Sequence, residues 1–391
     1  MISPTIKQAF DDLFQWCRRH DFAGHDPFDA LNSRVFQATP FRNSPTARLL
    51  WTQTLKRSPI NLRLPARVPP QQNAKGLALF TLAALAEYRR TRSPDAEQQT
   101  RALLEQLVSL RIHTARGVAW GYNFDWQSRV FFAPRGTPTI VPTAFAARAL
   151  KEAAEAFGDD AYLELVHRVC EFIARELPRS VENQTEVCFG YTPAAATKIF
   201  NASLLAAETL ARTGGDATYS ALAEKAARYV VKQQRPDGSW FYGADTGQSW
   251  IDNFHTAYLL SSLKAIIDAG ETAHKDEFEL ALQRGYEYWR KSFFLADGGA
   301  KYYHDTLYPI DAHAAAAAIV SLLDLIDLDP DALTLAERIA SWSIQNLRDR
   351  QGFFYYQRRR FYTVRTPFMR WTQAWMLYAL GRLLEVHAKA S

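Results

Sequence analysis

Cysteine is scarce in this chain of 391 residues, and the scarcity removes several classes of protein. Cys17, Cys170 and Cys188 are odd in number, far apart and outside any CxxC spacing. That excludes a disulfide framework and a structural zinc site, leaving buried free thiols. No run of about 18 apolar residues occurs, and the opening MISPTIKQAFDDLFQWCRRH lacks a basic stretch followed by an apolar core. No integral membrane segment is expected, and a cytoplasmic location is. GxxxxGK[ST], GxGxxG, HExxH and a calcium loop are also missing, so neither a metal nor a cofactor is assigned. The net charge of +5 is small for this length, and nucleic acid is not expected as a partner.

Ring surface and helical periodicity are abundant. Hydrophobic residues make up 48% and aromatics 13%, with ten Trp, seventeen Tyr and twenty-four Phe, enough to line a cavity as well as fill a core. Long apolar helices open near Asn73, Pro142, Asn201, Asp252, Asp311 and Arg370, and after the first gap the steps are 59, 51, 59 and 59 residues. A recurrence at that period marks a repeat architecture in which each unit buries its apolar face against its neighbours. It spans nearly all of residues 1–391, which are read as one domain.

Two kinds of helix alternate. Segments 4–19, 97–112, 161–177, 217–234, 276–292 and 331–347 mix charged and apolar residues at helical spacing, as a solvent-facing helix does. Segments 74–91, 142–157, 200–212, 253–269, 311–326 and 370–385 are apolar nearly all round, as a helix buried on most faces must be. Six of each predict an all-α (α/α)6 toroid with an inner ring about a central cavity. Pro142, Asn201 and Asp311 suit helix starts. Every connection from an outer helix to the next inner one lies at the same end. Those connections hold WGYNFDWQSR, DGSWFYGADTGQSW, GGAKYYHDTLYP and GFFYYQRRRFYTVR, which marks that end as the functional face.

The stretch KQQRPDGSW at 232–240 resembles the QW repeat of squalene and hopene cyclases, with GFFYY after QNLRDRQ as a degenerate second copy. The resemblance implies the toroid, and a structural role in which Gln and Trp tie a helix end to the next turn. The DxDD acid of those cyclases, the zinc constellation of protein prenyltransferases and the paired Cys and His of lanthionine cyclases are absent. Chain length, aromatic mouth and polar inner-helix starts look similar to the six-hairpin carbohydrate-active group of glycosidases, polysaccharide lyases and N-acylglucosamine 2-epimerase-like isomerases. GHDPFDALNSRVFQ at 24–37 also resembles toroid proteins associated with bacterial exopolysaccharide or lipopolysaccharide synthesis.

Asp252 and His255 stand three apart at an inner-helix start, a spacing that shares one helical face. Asp311 and His313 open the next inner helix, with His304 and Asp305 ahead of them. Asp252, His255, Asp311 and His313 are the candidate catalytic groups, together with Asp125, which lies among the rings of WGYNFDW where desolvation raises a carboxyl pKa; His304 is a candidate for substrate binding. Each Asp also suits an N-cap, and each His a core hydrogen bond. Tyr122, Trp126, Tyr191, Trp240, Tyr242 and Trp250 offer stacking faces for a sugar, though the QW context favours a structural Trp240. Asn201 adds a polar inner-helix start. Arg129, Arg365 and Arg370, with Lys301, suit a uronate or phosphate, Arg by its bidentate geometry.

The expected function is that of a carbohydrate-active enzyme of bacterial surface-polysaccharide metabolism, acting on a neutral or anionic sugar or oligosaccharide. Glycosidic cleavage would use Asp125 with Asp252 or Asp311 as acid and base. Epimerisation of the N-acylglucosamine 2-epimerase kind would use His255 and His313 as a proton-shuttling pair. A non-catalytic toroid binding a glycan or protein is a third reading, and a terpenoid cyclase-like enzyme a fourth, weakened by the missing DxDD.

Overall fold

Residues 4–128, 131–270 and 272–390 are described in a computed structural model. The chain opens with α1 (Pro4–Arg19) and then an irregular segment holding α2 (Arg34–Gln37) and α3 (Pro45–Arg57) between short 3-10 turns. Eleven further helices follow: α4 (Ala74–Thr91), α5 (Pro94–Ser109), α6 (Ile140–Phe157), α7 (Asp160–Glu176), α8 (Phe200–Thr213) and α9 (Ala217–Lys232), then α10 (Asn253–Asp268), α11 (Lys275–Phe293), α12 (Ala312–Asp324), α13 (Ala332–Leu347) and α14 (Trp375–Ala390).

The inner helices pack in sequence, α4 on α6, then α8, α10, α12 and α14, and α14 returns to α4 to close the ring. The expected (α/α)6 toroid is therefore present, with α1, α5, α7, α9, α11 and α13 outside. Composition explains the layering. In α12 every residue from Ala312 to Leu323 is buried, and alanine permits this because it favours helix most and lets neighbouring axes approach. On α7 the buried side chains are Val166, Val169, Cys170, Phe172 and Ile173, a single stripe. All three cysteines are buried and free.

Helix starts follow capping chemistry. Asp252 accepts the His255 backbone N–H, and Asp311 those of His313 and Ala314, satisfying donors the helix leaves open. Asn73 caps α4 in the same way. Pro142 and Asn201 lie one to two residues inside their first turns rather than at the caps, which Thr139 and Ile199 occupy. Before α14 the chain makes one π-turn, Met369–Ala374, so Arg370 sits in that turn.

The QW stretch has its structural role. Trp240 is buried, and its indole N–H donates to the Val230 carbonyl at 2.8 Å, while Gln234 donates to Gly238 and Ala281. Gly238 takes φ +90°, and a Cβ there would lie 2.5 Å from the Arg284 carbonyl oxygen, so no other residue fits this turn.

The segment between α1 and α4 is anchored firmly. The buried Arg63 guanidinium donates to Asp29, to the Asp26 carbonyl and to the Leu55 carbonyl. That clamp holds α3 at the end of the toroid where the inner-helix N-termini converge.

Candidate active site

A cavity of about 780 Å³ lies at that end, lined by the first turns of the inner helices. Lys75 comes from α4, Asn201 from α8, Phe254, His255 and Tyr258 from α10, His313 from α12, and Arg370 and Trp371 from the π-turn. The preceding loops add Tyr122, Trp126, Tyr191, Tyr242, Trp250 and His304, and α3 adds Leu49, Gln53 and Lys56. Aromatic walls carrying a few convergent polar groups form the usual setting for a small-molecule site.

The expected pairing of Asp252 and His255 is present. Asp252 Oδ2 lies 2.7 Å from His255 Nδ1 and accepts the Trp250 indole N–H at 3.0 Å, while Oδ1 takes the His255 backbone N–H at 3.0 Å. The carboxylate is buried and fully engaged. A proton on His255 Nδ1 is thereby directed to Asp252, leaving Nε2 as the acceptor. Tyr242 stacks on Trp250 with ring centroids 4.3 Å apart and meets His255 at 4.6 Å.

One helix along, His313 is packed between Phe254, Trp371 and Trp375, at centroid distances of 4.6, 4.2 and 5.0 Å. Its Nε2 is 2.7 Å from the Tyr258 hydroxyl, which in turn receives the Lys75 ammonium at 3.3 Å. Burial first, then Lys75 and Arg370, holds the His313 pKa well below the usual imidazole value, so the ring is neutral. Burial also lowers Lys75 well below its ordinary value, with Arg370 adding to the effect, and raises Tyr258 well above its own. Asn201 Oδ1 is buried without a hydrogen-bond partner among the described residues.

Arg370 is buried and forks onto Asp26, Nε to Oδ2 at 2.6 Å and Nη2 to Oδ1 at 2.8 Å; it lines the cavity with its charge already paired. Lys56 has no ion-pair or hydrogen-bond partner among the described residues. Its ammonium lies over the Phe28 ring at 4.2 Å and the Trp371 ring at 5.6 Å. Burial brings its pKa down to about 8 against the opposing pull of Asp311.

Several expected site residues lie elsewhere. Asp125 does not line the cavity: its Oδ1 accepts the Arg135 backbone N–H and braces the hairpin pairing Trp126 with Ala133. Asp311 is completely buried behind the wall, accepting from Gln357 at 3.0 Å and Trp371 at 3.2 Å in addition to its cap. Burial pushes its pKa up to about 6, opposed by Lys56. Trp240 packs between helices instead of facing the cavity. Arg365 is exposed, its guanidinium 5.5 Å from the Tyr355 ring centroid. Lys301 donates to the His304 carbonyl at 2.7 Å. Arg129 falls outside the described residues.

No protein-family model matches the chain, and no curated protein matches it by sequence. Solved structures do. Cellobiose 2-epimerase from Bacillus thermoamylovorans superposes with a TM-score of 0.62 at 13% identity, covering 83% of this chain and 90% of that one. The GH76 alpha-mannanase of Bacteroides thetaiotaomicron gives 0.61 at 11%, covering 81% and 87%. An unsaturated glucuronyl hydrolase specific for heparin gives 0.56 at 14%, covering 80% and 86%. The chain shares the toroid fold of sugar epimerases and glycoside hydrolases. At these identities the likeness establishes fold alone.

Sequence reasoning missed Lys75, Tyr258, Lys56, Trp371 and Asp26. Two had a signal: Lys75 is a cation just inside an otherwise apolar helix, and Tyr258 lies three residues after His255, on its face. Asp26 and Lys56 had none, because their positions depend on how the segment before α4 folds back.

Proposed function

We propose that this protein is an acid–base enzyme of bacterial surface-polysaccharide metabolism that epimerises an anionic sugar or oligosaccharide by proton transfer at one carbon. The observation that carries this reading is the pair of imidazoles on adjacent inner helices, both lining one aromatic cavity. His255, held by Asp252, removes the proton beside a carbonyl through Nε2. Tyr258 backed by His313 returns a proton from the other side, so the C–H bond broken is remade with inverted configuration. Lys75 and Arg370 stabilise the oxyanion formed between those steps. Trp250, Tyr242, Trp126 and Tyr191 stack on the apolar faces of the sugar, and Lys56 pairs with its carboxylate or phosphate.

Glycosidic cleavage is the second reading, favoured by Asp252 and Asp305 both lining the cavity. It is the weaker one, since Asp252 is committed to three hydrogen bonds and Asp125 is turned away.

Incubation of the enzyme in D2O with a panel of free and oligomeric sugars, neutral and uronate, separates the two by NMR. Deuterium entering one ring carbon alongside a new epimer is expected, with loss of both in His255→Ala. Release of a new reducing end without exchange would replace epimerisation by cleavage.

A further inference from the structure

Charge is placed very unevenly along this chain. Residues 30–86 contain eight Lys and Arg and no Asp or Glu, and residues 351–372 add five Arg and again no acid, against a net charge of +5 overall. Four of these thirteen cations are accounted for: Arg63 pairs with Asp29, Arg370 with Asp26, and Lys75 and Lys56 face the cavity. None of the other nine forms an ion pair among the described residues. Uncompensated like charge costs stability through self-repulsion, and it favours an anionic partner.

The two acid-free segments meet at the cavity mouth. Leu49, Gln53 and Lys56 of α3 face the cavity, while Leu50 is turned outward. The Tyr362 hydroxyl donates to the Arg57 carbonyl at 3.2 Å, fastening the arginine-rich loop to the end of α3, and Arg48 Nε donates to the Arg42 carbonyl at 2.6 Å near its start. Along this strip stand Phe41, Leu50, Ile60 and Phe361, exposed by 63, 65, 67 and 85%. Large apolar side chains interleaved with arginines that lack an acidic partner suit a bilayer interface, where the cations meet headgroup phosphates and the apolar groups enter the acyl boundary. A nucleic acid would satisfy the arginines and leave Leu50 and Ile60 in water.

We propose that this face docks on an anionic bilayer surface and brings the cavity mouth to the headgroup level. The proposal is independent of which reaction the cavity performs. It gives the enzyme access to a sugar carried on a lipid anchor while no helix of the described residues is long and apolar enough to cross the membrane.

Co-sedimentation of the full chain with unilamellar vesicles tests it. Binding to phosphatidylcholine vesicles containing phosphatidylglycerol is expected, at least about tenfold tighter than to phosphatidylcholine alone and weakened by salt. Arg42→Glu combined with Arg360→Glu lowers that binding about tenfold or more, and Leu50→Ser combined with Phe361→Ser lowers it too. Both variants retain the wild-type circular dichroism and turnover of a water-soluble sugar. Phe361→Ser alone, at the most exposed of these positions, gives a variant with minimal folding risk and a smaller loss in the same direction. Equal binding to both lipids, or none to either, overturns the proposal. So does tighter binding to a single-stranded RNA oligomer that Leu50→Ser with Phe361→Ser leaves unchanged. Because soluble-sugar turnover is read separately, failure of the docking face is distinguishable from failure of the epimerase reading.

Discussion

The Tyr258 hydroxyl lies 2.7 Å from Nε2 of His313, joining two neighbouring inner helices inside the cavity wall. Burial holds His313 neutral there, so the bond sets the phenol against an uncharged imidazole rather than a buried cation. Tyr258→Phe keeps the ring packing against Trp375 and Phe254 and removes only the oxygen. Proton exchange into the sugar should fall about 100-fold, with melting temperature little changed. Wild-type exchange in this variant would remove Tyr258 from the proton path.

Asp252 performs two tasks that one substitution separates. Asparagine is as good an N-cap as aspartate, so Asp252→Asn keeps the start of α10 while losing the charge that orients His255. Activity should drop about 100-fold or more while stability moves by less than about 1 kcal/mol. Asp252→Ala should lose both. Denaturant titration beside kinetics checks the split.

Asp311 predicts a pH-dependent stability of unusual sign. Its folded pKa is raised from 3.8 to about 6 by burial. Below about pH 4 the carboxyl is protonated folded and unfolded, and above about pH 6 it is ionised in both. Between those limits the folded state binds more protons, so stability falls as pH rises through the window. The full penalty, at most about 3 kcal/mol, is present at neutral pH. Asp311→Asn should flatten this slope relative to wild type in melts from about pH 4 to 7. Gln357 Oε1, unpartnered among the described residues, can receive the new amide after a flip, so the cap and pairing survive.

Lys56 sets a second window. With its pKa near 8, the ammonium is charged at neutral pH and is lost as pH rises past that value. KM for a uronate should therefore climb above about pH 8, while KM for the matching neutral sugar does not. Lys56→Met should abolish the difference between the two sugars at pH 7. A uronate preference that survives this change assigns recognition to another cation.

Trp240→Ala tests the QW stretch as packing alone. The indole is buried, and a Cβ at Gly285 would come within 2.4 Å of it, showing how closely α11 covers it. A loss of about 3–5 kcal/mol is expected, with turnover per folded molecule retained.

The toroid was legible because its signal is repeated: six apolar helices at near-constant spacing leave few alternative packings, and the caps at Asp252 and Asp311 add local agreement. The dyad of Asp252 and His255 was legible because three residues of helix fix its geometry. Asp125 misled because a carboxylate among rings in sequence became a hairpin brace in space. Asp311 misled because the same helix start that aimed it inward also buried it behind Trp371. Lys56 and Asp26 depend on a long-range fold-back that no local pattern encodes.

Arg370 and Asp26 are 344 residues apart in the chain, and α1 packs on α13 and α14. A ribosome releasing this protein therefore exposes α3 and most of the inner ring before the turn that fixes the N-terminal segment has been synthesised. Until then Asp26 lacks its counter-cation, and the wall that Trp371 supplies is missing. The inner ring thus stays open, and its cavity incomplete, until the π-turn and α14 emerge.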